Sequence, residues 1–86
     1  MDSYNLTWKP SAERELCKLP RPIIARLVER IEGLRCNPYS QGATKMTAMQ
    51  NTWRIRDGDY RVVYQVSGNT LTVEIIRVGN RRDVYR

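Results

Sequence analysis

Positions 52–78 hold three runs of alternating apolar and polar residues, separated by two short turn signals. That pattern reads as consecutive antiparallel strands and constrains the fold more than any other feature. Thr52–Arg56, Asp59–Val66 and Leu71–Val78 are rich in β-branched and aromatic residues, and period-two spacing sends alternate side chains to opposite faces. Asp57-Gly58 and Ser67-Gly68-Asn69 are the turn sequences between them. Such a sheet has an apolar face to hide. The cover has to come from the same 86-residue chain, and a domain of this size buries only roughly 60% of its unfolded surface.

The upstream half supplies that cover. Tyr4, Leu6 and Trp8 alternate with Asn5 and Thr7, which predicts a first strand. Pro10-Ser11 opens a helix whose Ala12, Leu16 and Leu19 form one apolar stripe, with Glu13 near its positive N-terminal end. Leu19-Pro20-Arg21-Pro22 breaks it, because prolines do not fit a helix interior. A second helix runs from Pro22 to about Arg35. Ile23, Ile24, Leu27, Ile31 and Leu34 mark its buried side, and Arg26, Glu29, Arg30 and Glu32 its outer side. Pro38 ends this segment by disfavouring helix at Asn37. Residues 39–50 read as a polar loop, with Met46 and Met49 as candidate anchors to the core. The expected fold is α+β over residues 1–86 as one domain. It has an N-terminal strand, a helical hairpin on one sheet face and three antiparallel strands, in the order β-α-α-β-β-β.

Composition removes several function classes. Without histidine, the Ser-His-Asp triad, histidine general bases and nearly all catalytic zinc sites are excluded. Cys17 and Cys36 are too few for a secreted disulfide scaffold, and both are expected to be reduced thiols of a cytoplasmic protein. No metal or other cofactor is expected. No apolar run is long enough to span a membrane, and the N-terminal residues carry no signal-peptide pattern. The net charge is +6, and twelve of the fifteen basic residues are arginine. Arginine suits planar, bidentate contact with phosphate or carboxylate.

Strand periodicity places these charges. Trp53 and Ile55 share one face, Arg54 and Arg56 the other; Tyr60, Val62, Tyr64 and Val66 face the helices, while Arg61, Val63 and Gln65 face away. Arg54, Arg56 and Arg61 are therefore expected together on a face that the helices leave uncovered. A phosphate backbone would relieve their mutual repulsion. A solvated polar face with Asp57, Asp59 and Glu74 as counterions is the alternative. Arg77, Arg81, Arg82 and Arg86 add charge toward the C-terminus, around Tyr85. Tyr85 is either a packing anchor or a tyrosine whose pKa neighbouring charge lowers, fit to act as a general base.

These residues resemble the RelE/ParE toxin superfamily of bacterial toxin–antitoxin systems across nearly the whole chain. The resemblance begins at Tyr4–Trp8 and Leu19-Pro20, and continues through Leu34–Pro38 and Trp53–Tyr64. It closes with Val78-Gly79-Asn80-Arg81 and Val84-Tyr85. The most specific part is the block from Arg54 to Tyr64, with its arginines at 54, 56 and 61 around Gly58 and Tyr60. The resemblance implies a ribosome-dependent mRNA endonuclease of the RelE branch, which cuts codons in the ribosomal A site. It implies a cognate antitoxin partner, and operator DNA bound only through the antitoxin complex. By position, Arg54 and Arg56 take the places of two basic residues that contact RNA, Arg61 that of the strand arginine at the scissile phosphate, Arg81 that of a second catalytic arginine and Tyr85 that of the catalytic tyrosine. In the implied reaction Arg56 contacts the phosphate or the leaving oxygen. Lys45, Arg77 and Arg82 join Arg54 as expected RNA contacts. Arginine replaces the lysines common at positions 54 and 56, and Asn80 stands where many relatives carry histidine. No helix is expected beyond Tyr85.

The implied chemistry is attack by a ribose 2′-OH on its own 3′ phosphate, with no metal required. The antitoxin could cover the arginine face, displace the segment bearing Tyr85, or dock in a groove beside the helical hairpin. Two other readings stay open: a ParE-like DNA gyrase inhibitor that cuts no RNA, and a non-catalytic basic DNA-binding module.

Overall fold

The computed structural model describes residues 3–39, 42–47 and 49–80. Along these the chain forms β1 (Asn5–Trp8), α1 (Pro10–Cys17), α2 (Arg21–Gly33), β2 (Thr44–Lys45), β3 (Thr52–Asp57), β4 (Tyr60–Ser67) and β5 (Thr72–Asn80). The strands make one sheet in the order β1-β5-β4-β3-β2. β1 runs parallel to β5, and the remaining neighbours are antiparallel. A parallel pair needs a crossover, and both helices and the β2–β4 meander lie between its two strands. The expected α+β order stands with one addition. β2 falls inside the segment read as a loop, because two residues are too few to carry a period.

Local chemistry sets the helix limits. Pro10 occupies the first turn of α1, where its missing N–H costs nothing. The helix closes at Cys17, earlier than the apolar stripe suggests, and the Leu19 N–H still donates to the Leu16 carbonyl at 3.1 Å in a tightened last turn. Pro20 caps α2, and the N–H groups of Leu34 and Arg35 close a similar turn on Ile31 and Glu32. Both cysteines are free and exposed.

The core lies between the two helices and one sheet face. Ala12, Leu16, Leu27, Ile31 and Leu34 pack over Ile55, Val62, Tyr64, Val66, Val73, Ile75 and Val78. Register explains the set: Val62 pairs with Val78, Tyr64 with Ile75 and Val66 with Val73. Val63 pairs with Arg77, so Ile76 is skipped and β5 carries a bulge there. At the centre, the fully buried Tyr64 donates its hydroxyl to the Pro38 carbonyl at 2.6 Å.

Four local expectations need correction. The β3–β4 turn is Gly58-Asp59, with β4 starting at Tyr60, because Asp57 pairs with Tyr60 and Gly58 takes the left-handed φ of 61° that a tight loop requires. β5 starts at Thr72 because Leu71 is also left-handed, at φ 48°. Met49 does not anchor the loop: it is 45% exposed, and Ala43 packs on the core instead. The outward arginines of α2 are not simply solvated. Arg26 Nε pairs with Asp57 Oδ1 at 2.9 Å, and Arg30 Nη1 donates to the Arg56 carbonyl at 3.1 Å. Asp57 is thus engaged from the helix side and is not a counterion for the opposite face.

Arg26 and Arg30 tie α2 to the β3–β4 hairpin. Arg26 is half-exposed, so Arg26→Ala is expected to cost less than about 1 kcal/mol, and less again in high salt. Thermal melts of both proteins at low and high ionic strength check this. Among the described residues, no helix is long and apolar enough to cross a membrane.

Candidate functional site

The sheet face opposite the helices gathers the predicted arginines by register. Arg56 of β3 lies directly across from Arg61 of β4, and Arg61 lies across from Gly79 of β5. The next row is Arg54, Val63 and Arg77. Neighbouring strands are about 4.8 Å apart, so Arg54, Arg56, Arg61 and Arg77 form a two-row cluster of positive charge.

The face is not uniformly open, which corrects the expectation of an uncovered one. Arg56 is exposed and Arg54 half-buried, but Arg61 is only 2% exposed and Val63 is also buried. β4 is the middle strand, so Arg61 and Val63 both have a paired strand on either side. Arg61 therefore holds a charge it cannot shed where water screens it little, whereas Arg56 across from it meets solvent. A fixed, shielded guanidinium beside an exposed one suits electrostatic stabilisation of a phosphate.

Two expected RNA contacts sit differently. Lys45 pairs with Trp53, so it projects to the face opposite Arg54, at the β2 edge. Arg77 shares the arginine face, but its Nε pairs with Glu15 Oε2 of α1 at 3.3 Å. Glu15 is a residue the sequence pattern does not single out, since nothing in local spacing brings α1 to β5. Trp53 packs against Tyr39, with ring centroids 4.9 Å apart. Arg81, Arg82 and Tyr85 lie outside the described residues.

Two of the described tyrosines have raised phenol pKa values. Burial pushes Tyr64 up to about 12, the nearby Tyr39 adding to the rise and Arg30 opposing it. Burial also raises Tyr39, helped by Tyr4. Both changes favour the neutral phenol, the wrong direction for a general base.

Residues 6–85 match the family described as the ParE toxin of type II toxin–antitoxin systems. The toxin RelG of Mycobacterium tuberculosis is 36% identical over 84 residues, covering 96% of this chain and 97% of RelG. Solved toxin structures share the fold, two of them as follows. The RelBE2 toxin–antitoxin complex of Mycobacterium tuberculosis aligns with TM-score 0.80 at 30% identity, over 92% of this chain and 99% of the other. The isolated E. coli RelE toxin aligns with TM-score 0.82 at 28% identity, over 96% and 92% respectively.

Proposed function

This chain belongs to the RelE/ParE toxin superfamily of type II toxin–antitoxin systems, and from that premise we propose that it is a ribosome-dependent mRNA endonuclease neutralised by a cognate antitoxin. The observation that carries the reading is the directly opposed pair Arg56 and Arg61 on the face away from the helices. Its exposed member can meet a message phosphate, and its shielded member can stabilise charge developing there.

In this reading the 2′-OH of a ribose attacks its own 3′ phosphate. The O2′–P bond forms, the P–O5′ bond breaks, and the products are a 2′,3′-cyclic phosphate and a 5′-hydroxyl. Tyr85, as phenolate, takes the 2′-OH proton, and solvent protonates the departing O5′. Arg61 and Arg81 stabilise the charge on the phosphate, Arg56 contacts the phosphate or leaving oxygen, and Arg54 holds RNA. Arginine at 54 and 56 binds but does not exchange protons. The acid–base burden therefore falls on Tyr85, and the ribosome contributes by positioning the codon. Lys45 and Arg82 contribute general attraction to RNA. The protein acts in the cytoplasm without a metal, and it reaches operator DNA through its antitoxin.

Primer extension on a translated mRNA tests the proposal. Cuts within codons are expected only when ribosomes and the protein are both present. The family description that matches, a ParE toxin, favours a second reading: inhibition of DNA gyrase without RNA cleavage. An intact message together with blocked supercoiling by purified gyrase would select it.

A further inference from the structure

β5 is longer than the strand beside it. β1 pairs only from Thr72 to Ile75, and the Lys9 N–H closes that ladder on the Ile75 carbonyl at 3.0 Å. On its other side β5 stays paired with β4 as far as Asn80. Among the described residues, the outer edge from Val78 onward thus has no strand neighbour, directly after the bulge at Ile76. A bulge redirects a strand, and an unpaired backbone N–H shielded from water is costly. One side chain of α1 answers both needs. Glu15 Oε1 accepts the Val78 N–H at 3.0 Å, while Oε2 meets Arg77 Nε at 3.3 Å.

We propose that Glu15 is a positioning residue, which fixes the end of β5, the strand that Arg81 and Tyr85 follow in the sequence. It touches no substrate. Its carboxylate does in side-chain form what another turn of β1 would do in backbone form, and it engages Arg77 as part of the same clamp. This inference rests on the RNA-cleavage reading above.

The test uses the full-length protein with ribosomes translating a defined mRNA, under single-turnover conditions over a range of ribosome concentrations. Glu15→Ala is expected to lower the plateau cleavage rate about 10- to 100-fold, as displaced reactive groups do, with the half-saturating ribosome concentration held within about twofold. Glu15→Gln keeps an oxygen for the Val78 N–H and is expected to recover most of the rate. Glu13→Ala, exposed on the same helix, is expected to behave as wild type. Amide exchange gives a readout independent of cleavage: Val78 should exchange faster in Glu15→Ala, be protected again in Glu15→Gln, and leave the core amide of Val62 unchanged.

Wild-type cleavage and Val78 exchange in Glu15→Ala would overturn the proposal. So would a loss confined to the half-saturating concentration, which marks a binding role, or a loss of protection spread through Val62, which marks a merely structural one. If the wild-type protein cuts no message, the cleavage reading fails and the positioning role with it. Val78 exchange then still reports whether the clamp exists, so the two failures are told apart.

Discussion

Replacing Arg61 with alanine is expected to lower the plateau rate of mRNA cleavage by about 10²–10³-fold, equivalent to about 2.7–4 kcal/mol, the range for losing one preorganised donor at a developing charge. The effect should be this large because Arg61 is 2% exposed. A charge held out of water acts at a lower effective dielectric and need not reorganise during reaction. Arg61→Lys keeps the charge but loses the planar fork, and should fall between wild type and alanine. Arg56, directly opposite but exposed, should give a smaller loss on alanine substitution, and one that shrinks as salt is added. Arg61 points away from the Val62 and Tyr64 side chains that pack on the helices, so its variants should keep their cooperative melts. Single-turnover cleavage and melting curves on the same preparations decide the matter. A folded Arg61→Ala protein that still cuts at the wild-type rate removes Arg61 from the reaction.

The contrast between Arg56 and Arg61 marks how far the sequence could be read. Period-two spacing puts both on one face, because strand geometry is local. It does not say which is shielded, because that depends on Arg61 lying in the middle strand with neighbours on both sides. Strand order is a non-local fact, and so is the parallel β1–β5 pair. The helices were legible from their apolar stripes and prolines for the same reason the strands were. The arginines of α2 were not: at helical spacing Arg26 and Arg30 read as outward residues, yet long side chains reach the β3–β4 hairpin. β2, Glu15 and the left-handed Leu71 were illegible because each owes its place to partners distant in sequence or to a single dihedral angle. Of the expected site, the Arg54–Arg56–Arg61 grouping survives as geometry. Lys45 is turned to the other face, and Arg77 is engaged by Glu15.

Tyr64 is where loss of a side chain should cost the fold most, and its cost divides into two measurable parts. Its ring is fully buried among residues of both helices and three strands. Tyr64→Ala should therefore destabilise by about 3–5 kcal/mol, as large aromatic truncations do. Small domains hold only about 5–15 kcal/mol in total, so this variant should sit near the edge of folding. Tyr64→Phe isolates the hydroxyl. It leaves the buried Pro38 carbonyl without its 2.6 Å donor, and should cost about 1–3 kcal/mol. The same hydroxyl gives a signature in alkali. Its pKa is pushed up to about 12 in the folded protein, against about 10 in an unfolded chain. Above pH 10 the unfolded state releases this proton and the folded state keeps it, so the unfolded state binds fewer protons and stability falls as pH rises. The contribution is fully present below pH 10 and is lost between about 10 and 12, with a limiting slope of about 1.4 kcal/mol per pH unit. Tyr64→Phe has no proton to release there. Urea melts of both proteins from pH 8 to 11 should show the wild type losing stability faster above pH 10, so that its advantage over the variant narrows. Parallel declines would mean that the Tyr64 hydroxyl ionises no later in the fold than in the unfolded chain.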